Sequence, residues 1–191
     1  MKSKYPFRCI LKYIPDRYGN LRDWQEANRR IVYDFKRGKV SDEHRRKILD
    51  IIKDIMQDQP EQWVVCFVPA HTQKDTEARF APLAAFLQEN LGCAVCLHSV
   101  RNYKDYAPVH EKGTRETFKL HYVDKESVVG KNVVLIDDVI TTGRSFREIG
   151  DKLMFMGALS IHGVCFAKTI HPNLPIKIKR QTKNQSEMDS S

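Results

Sequence analysis

The chain has 191 residues, 41% hydrophobic and 29% charged, with a formal net charge of +8 at pH 7. That length carries one domain with a core of its own, and the composition is that of an ordinary globular chain rather than a low-complexity one. No apolar run approaches the ~20 residues needed to cross a bilayer. The charged start Met1–Pro6 has no apolar run behind it, so neither a membrane span nor a secretory signal is expected and the chain reads as cytoplasmic.

The charge is unevenly placed. Residues 1–50 hold 14 Lys and Arg against 7 Asp and Glu, a net of +7, which leaves +1 of the total +8 for the rest. A basic surface attracts polyanions such as nucleotides, pyrophosphate or nucleic acid; a solvated basic face has the same composition. Five cysteines are present: Cys9, Cys66, Cys93, Cys96 and Cys165. Cys93 and Cys96 have the spacing of half a zinc site, but a closed site needs four ligands and no second such pair follows. Cys66, Cys96 and Cys165 lie in apolar runs, where a thiol behaves as a small buried hydrophobe. Core cysteines are therefore expected, without a disulfide framework.

In chain order, a short strand is predicted near Phe7–Lys12, a turn at Asp16–Asn20, and a helix or loop beyond. Ser41 is an N-cap candidate. Ile48, Ile51, Ile52, Ile55 and Met56 follow at helical spacing, and this helix should end before Pro60. The continuous apolar run Trp63–Pro69 reads as a buried parallel strand. Residues 76–91 form a helix with Ala78, Phe80, Ala81, Leu83, Ala84, Leu87 and Leu91 on its stripe, closed by Gly92. Ala94–Leu97 is the next strand. Residues 99–121 are polar and without periodicity, a long loop of the functional kind. Val133–Ile136 is a strand, Ser145–Met156 a helix stopped by Gly157, and Ser160–Phe166 a strand. Alternation of strands and helices predicts an α/β fold with a mostly parallel central sheet and helices on both faces. The expected division is a basic N-terminal segment or hood over 1–40, a core over 41–172, and a polar, disordered tail over 173–191.

The chemistry concentrates after the strand ending at Ile136. Asp137 and Asp138 come first, then Val139, Ile140, Thr141, Thr142, Gly143, Arg144 and Ser145, then a helix. Ligands in open α/β sheets bind beyond the carboxyl ends of the strands. Thr141, Thr142 and Ser145 offer hydroxyls, Gly143 allows close backbone approach, and the helix start offers free amides and a positive dipole end. Together they make a phosphate cradle, though not a Walker loop, since GxxxxGK[ST] is absent. Two carboxylates ahead of it repel phosphate but suit sugar hydroxyls and magnesium. A ligand with a phosphate, vicinal hydroxyls and a metal-bound polyphosphate matches this set: 5-phosphoribosyl-1-pyrophosphate.

Residues Val134–Ser145 closely resemble the signature of type I phosphoribosyltransferases: a run of apolar residues, two acids, then, after Val139 and Ile140, Thr-Thr-Gly-x-Ser/Thr. The resemblance implies that Asp137 and Asp138 hold the ribose hydroxyls, that Thr141, Thr142, Gly143, Arg144 and Ser145 hold the 5′-phosphate with Val139 and Ile140 in the same ligand-binding stretch, and that the acids bind Mg²⁺ directly or through water. The wider likeness runs over roughly residues 62–170 and is nearest the ComF-type branch. It implies a pyrophosphate loop at Pro69, Ala70 and His71, a pyrophosphate contact at Arg101, a closing arginine at Arg115, and an arginine–aromatic step at Arg79–Phe80. Lys168 and His171 are the acceptor-side candidates it suggests. Departures from that branch are the missing N-terminal zinc-finger cysteines, Pro-Ala-His in place of Pro-Val-Pro, and no glutamine near His110.

The activity so implied is displacement of pyrophosphate from ribose C1 by a nitrogenous acceptor, a nucleobase or amine, under a hood built from residues 1–40 and Phe166–Pro172, with residues 99–121 as a lid. Two alternatives stand beside it: a non-catalytic regulator that senses phosphoribosyl pyrophosphate, and a ComF-like accessory protein of DNA uptake. Nucleic acid is compatible with the basic segment, but residues 1–50 carry no zinc-finger spacing, RNA-binding signature or clear helix-turn-helix. A homodimer is left open as the assembly.

Overall fold

The computed structural model describes residues 4–18, 21–57, 59–102 and 121–170. Seven strands and five helices follow in the order β1 (Phe7–Tyr13), α1 (Asp23–Lys36), α2 (Asp42–Met56), β2 (Trp63–Phe67), α3 (Gln73–Asn90), β3 (Ala94–Cys96), β4 (Val100–Asn102), β5 (His121–Val123), α4 (Lys125–Val128), β6 (Asn132–Ile140), α5 (Arg144–Phe155) and β7 (Ser160–Thr169). Five strands form one sheet in the order β1-β7-β6-β2-β3, and all four pairings are parallel. This is the expected α/β architecture. Among the described residues no helix is long and apolar enough to cross a membrane.

Strand side chains alternate between faces, and the two cores follow that alternation. Val65, Phe67, Val134, Ile136, Val164 and Phe166 meet α1, α2 and α3 on one face. Val64, Cys66, Val133, Leu135, Ile161 and Cys165 meet Phe146, Ile149 and Leu153 of α5 on the other. Phe35 stacks on Phe166 with ring centroids 4.0 Å apart and meets Phe80 edge-on at 5.9 Å. Gly163 marks the tightest point of the α5 face: a Cβ there would stand 2.5 Å from Phe146 Cζ and 2.6 Å from Phe7 Cβ, so only glycine lets β7 pass under both.

Ser41 caps α2 as expected, accepting from the His44 amide at 3.4 Å. Other boundaries shift. α3 begins three residues earlier than the expected start at residue 76, because Thr72 accepts from the Asp75 amide at 3.0 Å and the two side chains bond at 2.8 Å. Within it Phe80, Leu83, Ala84 and Leu87 are buried, while Ala78 and Ala81 face solvent. β6 runs through the acids to Ile140, since β7 continues beside it to pair Val139 with Ala167 and Ile140 with Lys168. The ends of the expected loop 99–121 pair as the antiparallel strands β4 and β5; residues 103–120 lie outside the described residues.

One expectation needs correction. The described residues of 1–40 do not stand apart as a hood: β1 is the edge strand beside β7, and Val32 and Phe35 of α1 are fully buried in the core. The physical cause is the alternation in Phe7–Tyr13 together with an amphipathic α1, which bury best against the sheet. Cys9 and Cys165 are register partners on adjacent strands, with Cα atoms 4.5 Å apart. Cys66, Cys93 and Cys96 are free. Burial pushes the Cys66 thiol up to about 12 and the Cys93 thiol to about 11, so both stay protonated and poor metal ligands at neutral pH. The tail over 173–191 lies outside the described residues.

Candidate functional site

Beyond the carboxyl ends of β2 and β6 lies a cavity of about 350 Å³. It is lined by Pro69, Ala70 and His71 after β2, by Asp137 to Ile140 of β6, by Thr141, Thr142 and Gly143, and by Arg144 and Ser145 of α5. The expected phosphate cradle, acid pair and pyrophosphate loop thus share one wall system.

The cradle is built by a backbone device. Gly143 sits at φ +71 and ψ 15 as the N-cap of α5, in the left-handed region that costs a residue with a Cβ about 1–2 kcal/mol. That turn brings the first amides of α5, which have no intrahelical acceptors, to the cavity. Thr142 Oγ1 accepts from the Arg144 amide at 3.4 Å, and Thr141 Oγ1 lies 3.1 Å from Thr169 Oγ1 of β7. The Arg144 guanidinium donates to Glu148 at 2.8 Å, one turn along its own helix. Gly143→Ala is expected to lower the melting temperature by roughly 2–8 °C, from about 1–2 kcal/mol of strain in a domain of this size. Its Cβ would meet only Ile140 Cγ2, at 3.6 Å, so strain rather than collision is the cause. An unchanged melt in calorimetry would contradict it.

The two acids have different surroundings. Asp137 is 8% exposed; burial first, and then the neighbouring Asp138 charge, hold its carboxyl well above the usual carboxylate range. Its Oδ1 accepts from the Asp138 amide at 2.8 Å. Asp138 accepts from its own strand at Oδ1, where the Val139 amide is 2.6 Å away, and from Arg79 Nη1 of α3 at Oδ2, also at 2.6 Å. Lys36 Nζ, at the end of α1, is 4.0 Å from that second oxygen.

The loop after β2 is held from two sides. The Ala70 amide donates to the buried Thr76 Oγ1 at 2.9 Å, and Asn102 Nδ2 donates to the Ala70 and His71 carbonyls at 2.7 and 2.9 Å. Thr76, Asn102 and Lys36 are absent from the sequence reading. Thr72-x-x-Asp75 is a capping signature and, once noticed, starts α3 early enough to put Thr76 beside the loop. Asn102 and Lys36 leave no local signal.

Arg101 stands apart from the cavity lining. Its side chain alternates away from the cavity that Asn102 lines, donating to the His98 carbonyl at 2.8 Å and lying 5.8 Å from the Tyr122 ring. Lys168 is exposed, with Nζ 5.3 Å from the Phe7 ring on β1, and does not line the cavity either. Arg115 and His171 lie outside the described residues.

A magnesium ion fits this donor set on one condition. Asp137 and Asp138 are hard oxygen donors, but among the described residues no group of three His, Cys, Asp or Glu side chains could hold a metal. One or two carboxylates suit a cation that brings most of its ligands with a polyphosphate.

The chain is 36% identical over 77 residues to a protein named Transcriptional regulator GfcR 1 from Methanosarcina barkeri, a match covering 40% of this chain and 35% of that protein. It is equally 36% identical over 77 residues to Transcriptional regulator GfcR of Methanosarcina mazei, with 40% and 35% covered. The matched stretch is thus about a third of the length of these relatives. Among solved structures, one titled as the allosteric regulatory enzyme of purine biosynthesis aligns at a TM-score of 0.47 and 17% identity, covering 70% of this chain and 30% of that one. A hypoxanthine-guanine phosphoribosyltransferase from Bacillus anthracis aligns at 0.43 and 13%, covering 73% and 78%. Residues 78–190 match the phosphoribosyl transferase domain. That match takes in more than half of the 191 residues, α3 to the tail with the acid pair and its loop included, and the chain belongs to the phosphoribosyl transferase domain family.

Proposed function

We propose that the chain binds 5-phosphoribosyl-1-pyrophosphate with Mg²⁺ in this cavity and transfers the phosphoribosyl group to a nitrogenous acceptor, a nucleobase or amine, releasing pyrophosphate. One observation carries the reading. An acid pair, a hydroxyl-rich helix start and a braced loop meet in one cavity of about 350 Å³ at the strand ends, and that ligand needs all three.

In this reading Thr141, Thr142, Ser145 and the first amides of α5 hold the 5′-phosphate. Asp137 and Asp138 accept the ribose hydroxyls, so C1 is fixed relative to the acceptor. Pro69, Ala70 and His71 lie on the leaving-group side, and the bracing by Thr76 and Asn102 fixes the backbone of that loop without reorganisation. Arg115 is the lid residue that closes over the pyrophosphate. Bound Mg²⁺ supplies charge neutralisation at the pyrophosphate oxygens, with Asp137 and Asp138 as its protein-side donors.

A second reading has its own observation. The two relatives described above are named transcriptional regulators, which supports a protein that binds the ligand and signals its level without turnover. Incubation with phosphoribosyl pyrophosphate, Mg²⁺ and a panel of nucleobases and amines separates the two. Acceptor-dependent release of pyrophosphate is expected; binding without release for every acceptor would favour the sensor.

A further inference from the structure

Four charged side chains converge at the acid pair. Arg79 Nη1 donates to Asp138 Oδ2 at 2.6 Å, and Lys36 Nζ stands 4.0 Å from the same oxygen. The other oxygen, Oδ1, accepts from the Val139 amide at 2.6 Å. Two acids and two bases sum to zero formal charge. Arg79 and Asp138 are 18% and 14% exposed at their side chains, so solvent screens this pair less than a surface one. The Arg79 Nε is buried and has no hydrogen-bond partner; the firm anchor of this guanidinium is the carboxylate. Phe80, next along α3, is fully buried and fixes the helix that aims it.

Adjacent carboxylates without such cations attract a divalent ion by themselves, because both present lone pairs and unbalanced charge. Here the charge of Asp138 is balanced by Arg79. A guanidinium also repels a divalent cation approaching the same oxygen. We infer that Arg79, assisted by Lys36, is a positioning residue that withholds Asp138 from free divalent metal, so that the cation enters the site only with the phosphate oxygens of the ligand. Each oxygen of a carboxylate has a second acceptor position, so Asp138 still receives a ribose hydroxyl while paired. The two acids therefore divide their duties: Asp137 is the uncompensated donor, and Asp138 is a held acceptor.

This inference rests on the proposed function, and its test keeps the two apart. Mg²⁺ alone, and separately Mg²⁺ with phosphoribosyl pyrophosphate, is titrated calorimetrically into the wild type, Arg79→Met, Arg79→Gln and Arg79→Lys. Arg79→Met is expected to bind Mg²⁺ alone about tenfold more tightly than the wild type, since removing one nearby charge is worth at least that much at a partly buried site. Arg79→Lys retains the charge and is expected to match the wild type. Arg79→Gln removes the charge while keeping a polar side chain and is expected to show the gain, so the test survives a Met variant that fails to fold. A merely structural arginine would give weaker metal binding when lost, not stronger. Equal Mg²⁺ affinity in the wild type and the folded neutral variants overturns the inference. A wild type that binds no phosphoribosyl pyrophosphate overturns the functional reading instead.

Discussion

Asp137→Asn is expected to weaken Mg²⁺-dependent binding of phosphoribosyl pyrophosphate roughly ten- to hundredfold while making the free protein more stable at neutral pH. The loss follows from the hydrogen bonds a carboxylate accepts from ribose, at about 1.5–3 kcal/mol for bonds to charged groups, converted at about 1.4 kcal/mol per decade. The gain has a separate cause. The buried Asp137 carboxyl is held above the usual range by burial and by Asp138, so the folded state binds its proton more tightly than the unfolded chain does. Such a group favours folding below the unfolded carboxyl range, and its contribution falls as pH rises until the folded carboxyl has ionised. Asparagine does not titrate. The melting temperature of Asp137→Asn should therefore match the wild type in acid and exceed it increasingly as pH rises through that window. Melts across pH, beside ligand titrations, check both halves. A variant that bound ligand like the wild type would make the acid pair a structural turn.

Phe80→Ala has the largest expected effect on stability. Phe80 is fully buried, with ring centroids 5.2 Å from Phe67 of β2 and 5.9 Å from Phe35 of α1. Its truncation opens a cavity where sheet, α1 and α3 meet, at about 3–5 kcal/mol. Domains are commonly stable by only about 5–15 kcal/mol, so the urea midpoint should fall by a large fraction. Phe80→Leu keeps most of the volume and should lose markedly less. Ligand affinity should fall as well, because the same helix aims Arg79 at Asp138. A loss in urea below about 1 kcal/mol would mean that the ring is replaceable and α3 is held by other contacts.

How much of this was legible from residues alone depended on the distance over which each signal acts. Local signals worked. The apolar runs of β2 and β6 and the Ser41 cap of α2 lie where they were expected, and the residues of the cradle line one cavity. These depend on neighbours within a few positions. The acceptance of residues 7–36 into the core was missed because β1 pairs with β7, more than 150 positions away, and charge in that segment suggested a separate surface. The Arg79–Asp138 pair spans 59 positions and the Asn102 clamp spans 32 and 31. Nothing in a strand's period reveals what another element brings to its end. Arg101 shows the converse: a basic residue before a loop looks like an anion contact, yet pleating turns it away and gives the place to Asn102.

The central claim is tested most directly by calorimetric titration of the full chain with phosphoribosyl pyrophosphate, in the presence of Mg²⁺ and again with the metal chelated. Saturable one-site binding is predicted with Mg²⁺, much weakened on chelation and weakened roughly ten- to hundredfold in the Asp137→Asn variant under the same conditions. No heat of binding from a folded wild type with Mg²⁺ present would contradict the account.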